Sequence, residues 1–299
     1  MHGDVKHVAL MLRGGFGNQL FQYTAARTLL LKSSNPQLIA FSYGSHRGSD
    51  HPDLETVLRI PINYPGRLHK MRYRHLASND TWLDTLSGAT ARVIGPLTST
   101  QVVMQDDPFE PIRVEPAPRY VLDGYFQHRD WWLPAWAHVA RELRATEPDG
   151  VPTLRRESRV AIKIRRTDYL SNCWQLPDHF YEQAFELLGI RNQEVTAVCE
   201  DDDFLPEFAT FARRFGCTVA PPVTLTGNPN LDDFWNLAAA STLILANSSY
   251  CWWAAAVAQD ASAETRVAYP APWLPNQWSS NPLPDMGLPG WLALPSGFA

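Results

Sequence analysis

The residues best suited to chemistry in this chain lie in Lys163-Ile-Arg-Arg-Thr-Asp168. Lys163, Arg165 and Arg166 supply cations, and Asp168 supplies a carboxylate that can hold one arginine while the other faces a ligand. A guanidinium is planar, permanently charged and matched to phosphate or carboxylate. The preceding run alternates Val160, Ile162 and Ile164, the pattern of a buried strand, so the polar cluster arrives where that strand ends. In an open α/β sheet, ligands sit just beyond the carboxyl ends of strands. Strand alternation sends Lys163 and Arg165 to one face and Arg166 to the other. Taken alone, the hexapeptide fits a structural Arg–Asp pair as well as it fits a ligand site.

A second stretch, Asn247-Ser-Ser-Tyr-Cys-Trp-Trp253, follows apolar Leu243-Ile-Leu-Ala246 and opens an alanine-rich helix. Asn247, Ser248 and Ser249 suit a helix cap. A helix start at a strand's carboxyl end is also attractive to anions. Two phosphate-type features in one half of the chain favour a nucleoside diphosphate over a lone ion pair. No Walker lysine–serine pattern and no G-x-S-x-G elbow occurs, which argues against P-loop phosphoryl transfer and a serine hydrolase.

Cys199-Glu-Asp-Asp-Asp203 crowds four acids at another strand end. Such oxygens suit Mg²⁺. Alternatively one of them accepts from the two donors on the edge of guanine, the reading preferred here because arginines outnumber metal motifs. Near the start, Arg13-Gly-Gly-Phe-Gly-Asn-Gln19 lies between a strand over residues 5–12 and a helix over 20–31. Glycines there let a ligand approach the backbone. The dinucleotide fingerprint fails, because Leu20 stands at the third glycine and no acid follows the strand over 37–41.

The elements that must position these groups alternate in the second half. Strands are expected over 159–165, 194–199, 217–220, 242–246 and 266–269, with helices over 178–188, 203–215, 231–240 and 249–259. That alternation means a parallel sheet. Glu147-Pro-Asp-Gly-Val-Pro152 reads as a linker, placing domains at 1–150 and 151–299, with the Pro-rich tail from about 270 packing back on the first. Residues 45–118 are the least readable. Within them Arg67-Leu-His-Lys-Met-Arg-Tyr-Arg-His75 reads first as a solvated helix face and second as a contact with anionic lipid.

With 299 residues, 45% hydrophobic and 19% charged, the chain is globular rather than disordered. A net charge of −5 argues against a nucleic-acid partner. Eleven tryptophans suit sugar stacking as well as cores. Cys173, Cys199, Cys217 and Cys251 have neither zinc nor disulfide spacing, so reduced thiols and a cytoplasmic setting are expected. No apolar run reaches the length of a membrane span.

Four stretches, Arg13-Gly-Gly-Phe-Gly-Asn-Gln-Leu-Phe-Gln-Tyr23, Leu122-Asp-Gly-Tyr-Phe-Gln127, Lys163-Ile-Arg-Arg-Thr-Asp-Tyr169 and Asn247-Ser-Ser-Tyr-Cys-Trp-Trp253, together resemble the α-1,2-fucosyltransferases of glycosyltransferase family 11. They fall in the family's order. The resemblance implies a glycosyltransferase-B fold of two Rossmann-like domains facing a cleft, with GDP-fucose as donor, inversion at the anomeric carbon and no required metal or cofactor. The implied acceptor is a galactose-terminated oligosaccharide or lipid-linked glycan, reached in the cytoplasm or peripherally at the inner membrane of a bacterium. Arg166 matches the arginine that meets the donor's β-phosphate, with Arg165 beside it, and Asp168 closes that motif. Ser248 and Ser249, after Asn247, match the diphosphate contacts at a helix start. Gly17, Asn18 and Gln19 match the first loop, and Asp201 and Asp202 fall in the strand-end acidic motif. Lys163 replaces the family's histidine and Glu200 its usual serine. The resemblance therefore leaves open whether Lys163 contributes charge beside the departing diphosphate. A non-catalytic glycan-binding module and a nucleotide-cofactor oxidoreductase are the other readings.

Overall fold

The structure is a computed structural model that describes residues 5–31, 33–34, 36–42, 52–63, 100–111, 114–157, 159–275 and 285–298. The basic stretch at 67–75 lies outside the described residues. The chain is α/β and forms two Rossmann-like units, Met1–Trp136 and Ala137–Ala299, each with its own parallel sheet.

In the first unit β1 (His7–Leu12) is central, flanked by β2 (Gln37–Ser42) and β5 (Arg119–Asp123). β3 (Ile62–Asn63) and β4 (Thr100–Met104) complete the order β3-β2-β1-β5-β4 among the described residues. Helix α1 (Phe16–Leu30) starts inside the glycine-rich stretch rather than after it. Phe16, Leu20 and Phe21 are buried and recur at helical spacing, so burial of that face outweighs the weak helix propensity of Gly17. The short helices α2 (Leu54–Leu58) and α3 (Arg129–Trp132) belong to the same unit.

The division of the chain falls at Trp136, earlier than the proline-rich stretch around residue 150. Helix α4 (Trp136–Arg144) explains this, because Arg144 binds both the carboxylate and the carbonyl of Asp260 in the second unit. The expected linker instead runs into α5 (Val151–Arg156), and Arg155 clasps Glu147 across it.

In the second unit β6 (Val160–Ile164) is central and buried at every position. Next to it lie β7 (Glu194–Cys199) and then β8 (Thr218–Ala220) on one side. On the other side lie β9 (Thr242–Ile244), β10 (Arg266–Ala271) and β11 (Leu292–Pro295). The order β11-β10-β9-β6-β7-β8 is that of a doubly wound nucleotide-binding sheet. The helices are α6 (Thr167–Ser171), α7 (Asp178–Leu187), α8 (Leu205–Arg213), α9 (Pro229–Ala238) and α10 (Ser249–Ala261). The described part of the tail joins this second sheet through β11. Trp252 Nε1 donates to Met286 O at 2.6 Å and fastens the tail over α10. Among the described residues no helix is long and apolar enough to cross a membrane.

Candidate functional site

The strand order of the second sheet reverses between β6 and β9, and both candidate stretches leave the carboxyl ends of those two strands. The register pairs Lys163 with Val198 and Ile164 with Cys199, so Arg165 comes abreast of Glu200 on the same face. The contacts follow from that register. Lys163, only 2% exposed, places Nζ 2.6 Å from Glu200 Oε1. The same carboxylate oxygen lies 3.3 Å from Arg165 Nη1. Arg165 Nη2 donates to Asp168 Oδ1 at 2.7 Å, and its guanidinium lies over the Tyr169 ring, 4.5 Å from the centroid.

Arg166 leaves the other way. Its Nε is 3.4 Å from Asp201 Oδ2, and its guanidinium carbon stands 3.9 Å above the Phe204 ring. Each cation thus meets an acid and each arginine also meets an aromatic face, a support worth roughly 0.5–1 kcal/mol at such partly exposed sites. Asp168 experiences burial, which raises its pKa, but the hydrogen bond and charge of Arg165 outweigh it and hold the carboxyl below the usual range. Asp202 and Asp203 sit exposed on a single 3₁₀ turn, Asp202–Phe204. Among the described residues no group of three His, Cys, Asp or Glu side chains converges as for a metal ion.

At the other side of the reversal, Ser248 is the N-cap of α10, and its side chain makes no capping bond. Ser249 is the first helical residue, and no acid stands in the first turn. Asn247 is nearly buried and donates through Nδ2 to Trp174 O at 3.2 Å. The Tyr169 hydroxyl donates to Asn247 O at 2.9 Å, and the Tyr169 and Trp174 rings meet edge to face at 5.6 Å. The Cys251 thiol is pushed up to about 11 by burial and lies 3.2 Å from the carbonyls of Ala246 and Ser248, so it is a packed thiol rather than a nucleophile.

The sequence-predicted residues of the first unit gather at its own reversal, between β1 and β5. Gly14 has φ +70, and a Cβ there would come 2.6 Å from Asn18 Nδ2, so glycine is required. Gln22 clasps the backbone of Arg13 at both N and O, each at 2.9 Å. Gln19 donates to Gly14 O at 3.2 Å and accepts from Leu54 N at 3.2 Å, which spends both ends of its amide within this unit. Asn18 Oδ1 accepts from Gln127 Nε2 at 2.9 Å, and Gly17 is buried in the first turn of α1. Arg13 Nη2 lies 2.6 Å from Asp123 Oδ1. Burial raises the Asp123 carboxyl, and Arg13 opposes that shift.

No protein-family profile matches the chain, and no curated protein matches it in sequence. Solved structures similar to it include the fucosyltransferase NodZ from Bradyrhizobium, with 13% identity, TM-score 0.46, and coverage of 84% of this chain and 93% of that one. POFUT1 in complex with GDP-fucose is similar at 9% identity and TM-score 0.46, covering 99% of both chains. A family 9 glycosyl transferase from Veillonella parvula is similar at 12% identity and TM-score 0.45, covering 99% and 88%. Superposition at this level transfers neither residues nor substrates to this chain.

The sequence reading missed Glu200, Tyr169, Trp174 and Phe204 as parts of the second unit's cluster. Glu200 was visible in the acidic run after Cys199, but only the β6–β7 register shows that it faces Lys163 and Arg165.

Proposed function

We propose that the chain is a glycosyltransferase-B-type fucosyltransferase that moves L-fucose from GDP-fucose to the 2-hydroxyl of a terminal galactose. The observation that carries the reading is the pair of stretches flanking the reversal in the second sheet, with Arg165 and Arg166 after β6 and Ser248 and Ser249 after β9. Ligands of doubly wound sheets bind at that place. The four stretches that resemble family 11 support GDP-fucose as the donor. In this reading the second unit holds GDP-fucose and the first serves the acceptor.

Transfer is a single displacement. The acceptor hydroxyl oxygen attacks C1 of fucose as the bond from C1 to the β-phosphate oxygen breaks, inverting the centre and releasing GDP, and the hydroxyl proton passes to solvent. Negative charge grows on the leaving diphosphate. Arg166 and Arg165, with the backbone N–H groups at the start of α10, are fixed before reaction and stabilise that charge without reorganising. Asp201 or Asp202 accepts from the guanine edge. Gly17, Asn18 and Gln19 shape the first unit's loop. Asp168 is a poor base in this arrangement because Arg165 stabilises its ionised form. The acceptor is an oligosaccharide or lipid-linked glycan met in the cytoplasm or at a membrane surface, and the charge stabilisation needs no metal.

Incubation with radiolabelled GDP-fucose and a panel of galactosides tests the reading. Label entering a galactoside supports it; donor left intact with every acceptor contradicts it.

A further inference from the structure

We propose that Glu200 sets the affinity of the diphosphate site by keeping Lys163 neutralised, so that a bound nucleoside diphosphate is gripped by Arg165 and Arg166 and not by the lysine. This rests on the donor reading above. Lys163 and Glu200 leave the ends of adjacent strands β6 and β7, and the register brings them into contact at 2.6 Å. The lysine side chain is 3% exposed and the glutamate side chain 31%, so the buried ammonium is paired with a carboxylate that remains partly open to solvent. A buried ammonium stripped of its counter-ion is strongly unfavourable, which makes the pair a unit rather than two independent side chains.

Glu200 has a second effect through Arg165. Its Oε1 is 3.3 Å from Arg165 Nη1, while Asp168 holds Nη2 at 2.7 Å. A phosphate oxygen approaching this guanidinium meets a carboxylate already in place and is repelled by it. Arg166 is less encumbered, its closest carboxylate contact being 3.4 Å. Asp233, on α9, also lies within the field of Lys163 and Glu200, and burial pushes its carboxyl up to about 6. Near neutral pH Asp233 is ionised as well, and Glu200 is singled out by its direct contact with the lysine Nζ at 2.6 Å. The consequence is moderated affinity, which lets GDP leave after transfer; product release limits turnover in many enzymes.

The test is GDP binding by calorimetry, with kcat and KM for GDP-fucose, on wild type, Glu200→Gln, Lys163→Met and the double variant. Glu200→Gln is expected to bind GDP about tenfold more tightly, because a like charge is removed and a buried cation is left seeking an anion. Its kcat and KM fall together. The double variant, which deletes a neutral pair, is expected to bind GDP within about threefold of wild type. Unchanged or weaker GDP binding by folded Glu200→Gln overturns the inference. So does a loss of more than about tenfold in the double variant, since the lysine would then be gripping the ligand itself. If Glu200→Gln fails to fold, Lys163→Met decides: it leaves the Glu200 carboxylate unneutralised beside Arg165 and is expected to weaken GDP binding, and unchanged binding overturns the inference. Wild-type protein that binds no GDP overturns the donor reading and this inference with it, whereas GDP binding without the expected pattern overturns only the inference.

Discussion

The Tyr169 hydroxyl donates a hydrogen bond to the backbone carbonyl of Asn247 at 2.9 Å. Tyr169 is four residues beyond Arg165 and carries that arginine on its ring, while Asn247 immediately precedes the N-cap of α10. One side chain thus sets the arginine loop against the helix start. Tyr169→Phe keeps the ring and removes only the bond. It is expected to cost about 1 kcal/mol of stability, read from urea unfolding, and to raise KM for GDP-fucose several-fold. A wild-type KM would show that the two segments hold their positions independently.

Arg166→Ala removes a charge-assisted contact from the proposed leaving group, worth about 1.5–3 kcal/mol. Transfer is expected to fall close to background and GDP affinity to drop at least tenfold, with circular dichroism unchanged. The guanidinium is partly exposed and only loosely paired with Asp201, so the fold does not depend on it. Unaltered GDP affinity by calorimetry would remove Arg166 from the phosphate site.

Asp233 makes a pH prediction. Burial raises its carboxyl to about 6, Lys163 opposes the shift, and Glu200 and Asp232 add to it. The folded pKa therefore lies above the unfolded value of about 4. The folded state keeps a proton that the unfolded chain releases, so this contribution to stability is full below about pH 4 and is lost as pH rises through about 6. Asp233→Asn is expected to flatten that part of the stability profile. Urea midpoints falling with equal steepness from pH 4 to 7 in both proteins would contradict it.

Much of the second unit was legible because its strands alternate with helices at regular pitch and Val160, Ile162 and Ile164 mark β6 as buried. β11 was not legible: Leu292-Ala-Leu-Pro295 has no strong period, and its proline is tolerated because the strand lies at the sheet edge. The start of α1 was misplaced because glycines at 14, 15 and 17 read as a turn, whereas buried Phe16 draws Gly17 into the helix. In the candidate site, residue types were readable but partners were not. Alternation placed Lys163 beside Arg165 and left two cations on one strand face unexplained; the answer, Glu200, comes from a neighbouring strand whose register a single sequence does not contain.

The central claim is fucosyl transfer from GDP-fucose, and the most direct measurement follows that reaction by NMR with a β-galactoside as acceptor. The expected result is equal formation of GDP and of an α-linked fucose on the galactose 2-hydroxyl, lost in Arg166→Ala. GDP-fucose that remains unconsumed, or a protein that binds galactosides without cleaving the donor, would contradict the account.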